Sequence, residues 1–453
     1  MNLQGKKVLV FGSGISGIGA ADLLVSVGAN PMIYDENINR TKEEILSKVK
    51  MPDKVQVYIG KITKEEIETL DLVVMSPGVP TDLPVVDAFR EAGLSIWGEI
   101  ELAYQMGKGR VLAITGTNGK TTTTALLGQI IGDYYASTYV VGNIGTPYTS
   151  VVLEQKEDSV TAAEISSFQL ETIQDFKPEI SAILNITEDH LDRHHTMEEY
   201  IRVKELITSN QDENGLCVLN YEDEVLRAFG ESLQIPVLFF SSKHTLEKGI
   251  YLEGEEILLN TGEALLPVLN INELKLIGIH NYENVMAAVA MAYGAGIPLA
   301  SIKKSACEFR AVAHRIEYVE EVNGVVYYND SKGTNPDAAI RAIKAMNRPT
   351  LLIGGGYDKG SDYTEWIQAF DGKVKHLVLI GQTKEKIAEA ARQCEFYDYV
   401  LLENMSEAMD FCSKHASCGD AVLLSPACAS WGEFTNYEQR GDRFKEYVHN
   451  LVK

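Results

Sequence analysis

Short, mostly apolar runs alternate along the chain with longer stretches in which apolar residues recur every third or fourth position. Runs at 7–11, 31–34, 72–75, 111–114, 159–163 and 180–185 are bounded by glycine, serine, threonine, asparagine or charged residues. Such a short run between polar or turn-forming neighbours predicts a strand buried on both faces, as in a parallel sheet. Runs at 324–328, 350–353, 377–380 and 421–424 repeat the pattern in the last third. Between them, helical periodicity extends from the glycines after residue 11 to residue 27, covers 123–131, 198–209 and 284–293, and resumes at Pro336. Strand and helix in alternation predict an α/β fold of parallel, doubly wound sheets.

At about 150 residues per domain, 453 residues suggest three modules, and 45% apolar content can fill a core in each. The first, 1–98, has the outline of a Rossmann-like unit. The second, 99–311, has a central sheet, parallel or mixed, of the phosphate-loop ATPase kind; Gly294, Gly296 and Pro298 break its last helix. The third, 312–453, is again Rossmann-like. A net charge of −23 without any Lys/Arg-rich block argues against a nucleic-acid surface and for small ligands held by local cations and backbone N–H groups. No run reaches the roughly 18 apolar residues of a membrane span, and nothing reads as a signal peptide. Six scattered cysteines without a CxxC pair suit reduced thiols, so a cytoplasmic protein is expected.

Residues 115–122, Thr-Gly-Thr-Asn-Gly-Lys-Thr-Thr, close one strand-like run and open a helix-like one. A phosphate-binding loop belongs at that place: backbone N–H groups face phosphate oxygens, Lys120 neutralises charge and Thr121 can ligate Mg²⁺. Only Thr117 and Asn118 separate Gly116 from Gly119, whereas the general pattern has four residues there. In the first module, Gly12, Gly14 and Gly17 with Asp35 outline a dinucleotide site, and the glycines alone leave NAD, FAD and another nucleotide diphosphate open. Residues 76–80, Ser-Pro-Gly-Val-Pro, form a turn at a strand's carboxyl end.

Glu164 follows one strand of the second module, and Asp189, His190 and Asp192 follow the next, so both sets can face the phosphate loop. Hard oxygen donors there suit Mg²⁺; the alternating histidines of 190–195 also admit a transition-metal cluster, or a solvated loop for His194 and His195. Lys204 lies among the apolar positions of a helix, where a lysine ordinarily snorkels to the surface, and the residues alone give it no role. In the third module, 329–335, 354–360 and 425–431 are strand-end loops on one sheet edge, the first two carrying Lys332 and Lys359, which can hold carboxylates or phosphates. Cys428 has no histidine nearby and reads as buried filler.

Taken in order, residues 115–121, Glu164-Ile-Ser-Ser-Phe-Gln169, Asn185-Ile-Thr-Glu-Asp-His190, His280-Asn-Tyr-Glu-Asn284, His314-Arg315 and Asn329-Asp-Ser-Lys332 resemble the ATP-dependent Mur ligases of peptidoglycan synthesis. The resemblance covers the whole chain. Residues 76–78, 354–359, 425–430 and 436–441 are similar to the branch that adds D-glutamate to UDP-N-acetylmuramoyl-L-alanine, and no Asp-Asn-Pro-Arg segment of the diaminopimelate- or lysine-adding branches is present. The resemblance implies that Gly14, Ile15, Ser16, Asp35, Ser76, Gly78 and Asn143 hold the UDP-sugar rather than NAD. It implies ATP on Gly116, Thr117, Asn118, Gly119, Lys120, Thr121 and Thr122, with Asn281, Asn284, Arg315 and Asp330 at adenine and ribose. It gives two Mg²⁺ ions to Thr121, Glu164, His190 and a carbamylated Lys204, and D-glutamate to Thr334, Lys359, Ser430, Trp431 and Tyr437. Lys120, His190, Lys204 and Lys332 are then the catalytic set. Small-molecule substrates alone, and a monomer, are expected.

Two other readings can be weighed on the sequence. A folylpolyglutamate synthetase shares the phosphate loop and glutamate addition but lacks a glycine-loop module such as 12–17. A non-catalytic nucleotide switch needs the loop but not Glu164, His190 and Lys332.

Overall fold

A computed structural model describes residues 2–143 and 145–451. Three sheets organise the chain. The first has five parallel strands, β1 (Lys7–Phe11), β2 (Asn30–Asp35), β3 (Gln56–Ile59), β4 (Leu72–Met75) and β5 (Ser95–Gly98), in the order β3-β2-β1-β4-β5. The second comprises β6 (Arg110–Thr115), β7 (Thr138–Gly142), β8 (Val160–Glu164), β9 (Ile180–Ile183), β10 (Leu216–Asn220), β11 (Val237–Ser241), β12 (Gly249–Glu253), β13 (Glu256–Asn260) and β14 (Leu265–Asn270). Their order is β14-β13-β12-β11-β10-β9-β6-β8-β7, parallel from β7 through β12 and antiparallel between β12 and β13. The third sheet runs β15 (Glu317–Val322), β16 (Val325–Asn329), β20 (Ala421–Leu424), β17 (Thr350–Gly355), β18 (Val374–Ile380), β19 (Tyr399–Leu401), with only β15 antiparallel to its neighbour.

The chain forms two compact units: residues 1–269 with 283–305, and residues 270–282 with 306–453. The expected boundary at 98/99 falls inside the first unit. One apolar core explains why. Ile100, Leu102 and Ala103 of the helix Glu99–Met106 pack in the same cluster as Val8, Val10 and Leu24 of the first sheet's layer and Val111, Ala113 and Ala163 of the second. The Glu101 carboxylate, fully buried in that helix, accepts the backbone N–H groups of Gln174, Asp175 and Phe176.

The short runs fold as strands because their side chains are apolar on both faces; β4, β9 and β20 are buried at every position. Two helices begin earlier than periodicity suggests. The helix Lys120–Tyr134 starts directly after Gly119, whose left-handed φ of 86° makes the turn, rather than at 123. The helix Ile279–Gly294 starts after Gly278, φ 92°, rather than at 284. A glycine in the left-handed region begins both helices, so the serine, threonine or aspartate cap that usually marks a helix start is missing. β9 ends at Ile183, yet Leu184 N–H and the Asn185 carbonyl still bond to Thr115 and Thr117, keeping that segment against the phosphate loop.

Candidate active site

In an open parallel sheet a crevice opens where the strand order reverses, at the carboxyl ends. In the first sheet that point lies between β1 and β4. Gly12, with φ 102°, turns the chain there; a Cβ on it would stand 2.9 Å from Ser76 Cβ, and one on Gly17 would stand 1.9 Å from the Gly12 carbonyl oxygen. Gly14 has open space instead, room for a ligand to approach the backbone. A cavity of about 640 Å³ occupies the crevice. Gly14, Ile15, Ser16, Asp35, Ser76, Gly78 and Asn143, every residue expected at the sugar nucleotide, line it. Asp35 is held by the Ser13 hydroxyl and by the N–H of Asn37. Arg40 also lines the cavity and was not expected; it lies in a polar segment without a recognisable pattern.

In the second sheet the neighbours β9, β6 and β8 bring three strand ends together. β6 delivers the phosphate loop, β8 delivers Glu164 and β9 leads to Asn185 and His190. Asn185 staples the loop reciprocally: its Oδ1 accepts the Asn118 N–H at 2.8 Å and its Nδ2 donates to the Asn118 carbonyl at 3.1 Å. Thr117 bonds the Thr187 backbone and stands 3.1 Å from the Tyr200 hydroxyl. Lys120 Nζ donates to the Gly116 and Thr117 carbonyls, and the helix it opens has no side-chain cap, a helix start of the kind that suits an anion. Thr121 and Thr122 sit in the first turn of that helix, and the Thr123 hydroxyl donates to Asn284 Oδ1.

Glu164 is 1% exposed; its Oε1 accepts from Asn143 Nδ2 at 2.8 Å, and its Oε2 is buried without a hydrogen-bond partner. A buried carboxylate oxygen left unpaired is costly, so this donor fits a hard cation. His190, φ 52°, precedes the short helix Leu191–His194, with its ring 4.9 Å from Phe168. The histidines that follow part company. His194 turns inward, 2.9 Å from the Ser167 hydroxyl, and burial lowers its pKa, whereas His195 points to Asp82. They do not converge as a transition-metal cluster, and His194 is not the solvated loop residue it resembles in sequence.

Lys204 is also 1% exposed, so it does not snorkel. Its Nζ donates to the Gly116 carbonyl at 2.9 Å and lies 4.6 Å from the Tyr200 ring centre. Burial, aided by the Lys120 charge and opposed by Asp189, pushes its pKa down to about 7. The Gly116 carbonyl therefore receives both lysines. An adjacent ion pair fixes the crevice wall: Arg193 pairs with Glu171 and donates to the Val79 carbonyl, in the turn after β4.

In the second unit, the parallel neighbours β16, β20 and β17 aim the loops 329–335, 425–431 and 354–360 from one edge. Arg440, buried, knits the first two: its guanidinium donates to the Ser331 hydroxyl and carbonyl and to the Cys428 carbonyl. Burial pushes its pKa down to about 10. Asp330 accepts from the Ser425 hydroxyl and the Ile316 N–H, and burial raises its pKa to about 7. Lys332 stands 5.3 Å from the Tyr437 ring and Lys359 5.3 Å from the exposed Trp431 ring. Ser430 is buried, Thr334 half-buried and Arg315 exposed. Asn281 donates to the Ile277 carbonyl of the same unit. Cys428 is small and buried, its sulfur 3.1 Å from the Tyr363 hydroxyl, and its thiol pKa is raised by burial.

The chain belongs to the Mur ligase family. Residues 114–292 match the Mur ligase middle domain, residues 314–428 the Mur ligase glutamate ligase domain, and residues 6–98 the MurD-like N-terminal domain. Within the family, the relatives point to one branch. A protein of Lachnoclostridium phytofermentans named UDP-N-acetylmuramoylalanine--D-glutamate ligase is 55% identical over 451 residues, covering 100% of this chain and 99% of the relative. One of Clostridioides difficile with the same name is 43% identical over 452 residues, with 100% of both covered. The solved UDP-N-acetylmuramate-alanine ligase MurC of Thermotoga maritima shares the fold at 20% identity, TM-score 0.58, over 98% of this chain and 99% of that one.

Proposed function

We propose that this chain is an ATP-dependent ligase that joins D-glutamate to UDP-N-acetylmuramoyl-L-alanine through an acyl phosphate. The observation that carries the reading is a connection: the seven residues expected at the sugar nucleotide line one cavity, and Asn143 of that cavity is bonded to Glu164 at the strand end beside the phosphate loop. ATP phosphorylates the L-alanine carboxylate, the D-glutamate amine attacks the acyl phosphate, and phosphate leaves with the amide formed.

A carboxylate approaching a polyphosphate is anion meeting anion, so charge must be neutralised before the partners align. Two Mg²⁺ ions held by Thr121, Glu164, His190 and a carbamate on Lys204 supply that neutralisation. Lys120 adds a cation to the terminal phosphates, and the N-terminus of its helix orients them. A Lys204 amine with its pKa near 7 is substantially neutral at physiological pH, the form that reacts with carbon dioxide. Asn281, Asn284, Arg315 and Asp330 hold adenosine. Lys332, Thr334, Lys359, Ser430, Trp431 and Tyr437 hold D-glutamate, the lysines facing its carboxylates. The domains 1–98, 99–311 and 312–453 act in the cytoplasm as a monomer and exclude water from the acyl phosphate.

Labelling the L-alanine carboxylate of the sugar nucleotide with ¹⁸O tests this chemistry. One label per turnover should appear in the released phosphate. Unlabelled phosphate alongside amide product would rule out the acyl phosphate.

A further inference from the structure

Asn143 does more than line the sugar-nucleotide cavity, because it also reaches the Glu164 carboxylate. Gly142 turns the end of β7 with φ 102° and pairs in register with Glu164; a Cβ on it would stand 2.2 Å from the Glu164 carbonyl oxygen, so the two strand ends pass unusually close. From that turn Asn143 grips Glu164 twice, its backbone N–H donating to the Glu164 carbonyl at 2.8 Å and its Nδ2 to Oε1 at 2.8 Å. The carboxylate is thereby held in one orientation with Oε2 as the oxygen left over, buried and without a partner. Asn143 itself is exposed and lines the sugar-nucleotide cavity. A primary amide has two N–H donors and one acceptor oxygen, so the bond to Glu164 leaves one N–H and the carbonyl for a ligand.

We propose that Asn143 is a positioning residue that couples the sugar-nucleotide cavity to the cation site: a ligand amide or hydroxyl that orders the Asn143 side chain also fixes the Glu164 carboxylate for a divalent cation. The inference rests on the reading that Glu164 holds the cation. Coupling between two sites is reciprocal, so the cation must tighten the sugar nucleotide by the factor with which the sugar nucleotide tightens the cation. Couplings of this kind are roughly fivefold to hundredfold. The short, doubly bonded path gives the effect a route that needs no movement of either sheet.

Mn²⁺ binding, followed by electron paramagnetic resonance in the presence of a non-hydrolysable ATP analogue, reads the coupling without turnover. Wild type should bind Mn²⁺ at least fivefold more tightly once UDP-N-acetylmuramoyl-L-alanine is added. Asn143→Leu, which keeps the size but donates no hydrogen bond, should weaken Mn²⁺ severalfold even without the sugar nucleotide, and Asn143→Ala should do the same if the larger side chain disturbs the turn. Mn²⁺ affinity within twofold of wild type in both folded variants, or no tightening in wild type, would overturn the proposal. Glu164→Gln separates the underlying reading: if it leaves Mn²⁺ affinity unchanged, Glu164 is not a cation ligand, whereas weakening there with no effect at Asn143 defeats only the coupling.

Discussion

Lys204 offers the most quantitative handle on the site, because its amine is buried against a carbonyl and a phenol ring rather than a carboxylate. Burial moves its pKa from 10.5 to about 7, a difference of about 3.5 units at 1.36 kcal/mol each, or about 5 kcal/mol against the charged form. With the folded pKa below the unfolded one, the unfolded chain binds more protons between about pH 7 and 10.5. Stability is therefore reduced in full below that window and regained as pH rises through it. Lys204→Met keeps the volume and removes the titration. In carbon dioxide-free buffer, the urea-unfolding free energy of wild type should gain about 2.7 kcal/mol on the variant between pH 6 and pH 9. Parallel stability curves across that range would refute the burial argument, and with it the account of why this lysine, rather than an exposed one, is open to carbamylation.

Other variants probe the rest of the site. Lys120→Ala should cut ATP-dependent phosphate release by roughly a hundredfold or more while circular dichroism stays unchanged, since the bonds of the side chain to the Gly116 and Thr117 carbonyls lie within the loop itself; retained turnover would remove Lys120 from the chemistry. Arg193→Ala removes the arginine partner of the half-buried Glu171, which keeps His194 and Thr81 beside it, and frees the Val79 carbonyl, so we expect a loss of about 2 kcal/mol in unfolding free energy and a raised KM for the sugar nucleotide, with the KM for ATP little changed. Gly17→Ala forces a methyl onto the Gly12 carbonyl and should destabilise by about 2 kcal/mol and weaken sugar-nucleotide binding in calorimetry; wild-type affinity would mean that the helix and loop do not need this close contact.

Ten of the strands were legible because they are mostly apolar and largely buried on both faces, and the phosphate loop because glycine, lysine and threonine fall between a strand and a helix. Starts of two functional helices were not, since Gly119 and Gly278 turn the chain through left-handed backbone without leaving a polar cap in the sequence. Lys204 was illegible from its own surroundings: a lysine at an apolar helix position ordinarily reaches solvent, whereas here the distant Gly116 carbonyl and the Tyr200 ring receive the buried amine. Only the resemblance to the Mur ligases drew it into the site. Arg40, Arg193 and the Asn143 grip on Glu164 depend on contacts across tens of residues, which no local periodicity records. The hairpin of β12 and β13, in the part of the second sheet beyond the site, was not legible because its apolar runs, 250–252 and 257–259, are only three residues long.

Phosphate release from ATP, measured with UDP-N-acetylmuramoyl-L-alanine and in turn D-glutamate, L-glutamate, L-lysine and diaminopimelate, tests the central claim most directly. The account calls for release only with D-glutamate, matched by an amide product of the expected mass. Release with another of the amino acids would keep the family and contradict the substrate, and no release with any of them would contradict the ligase reading itself.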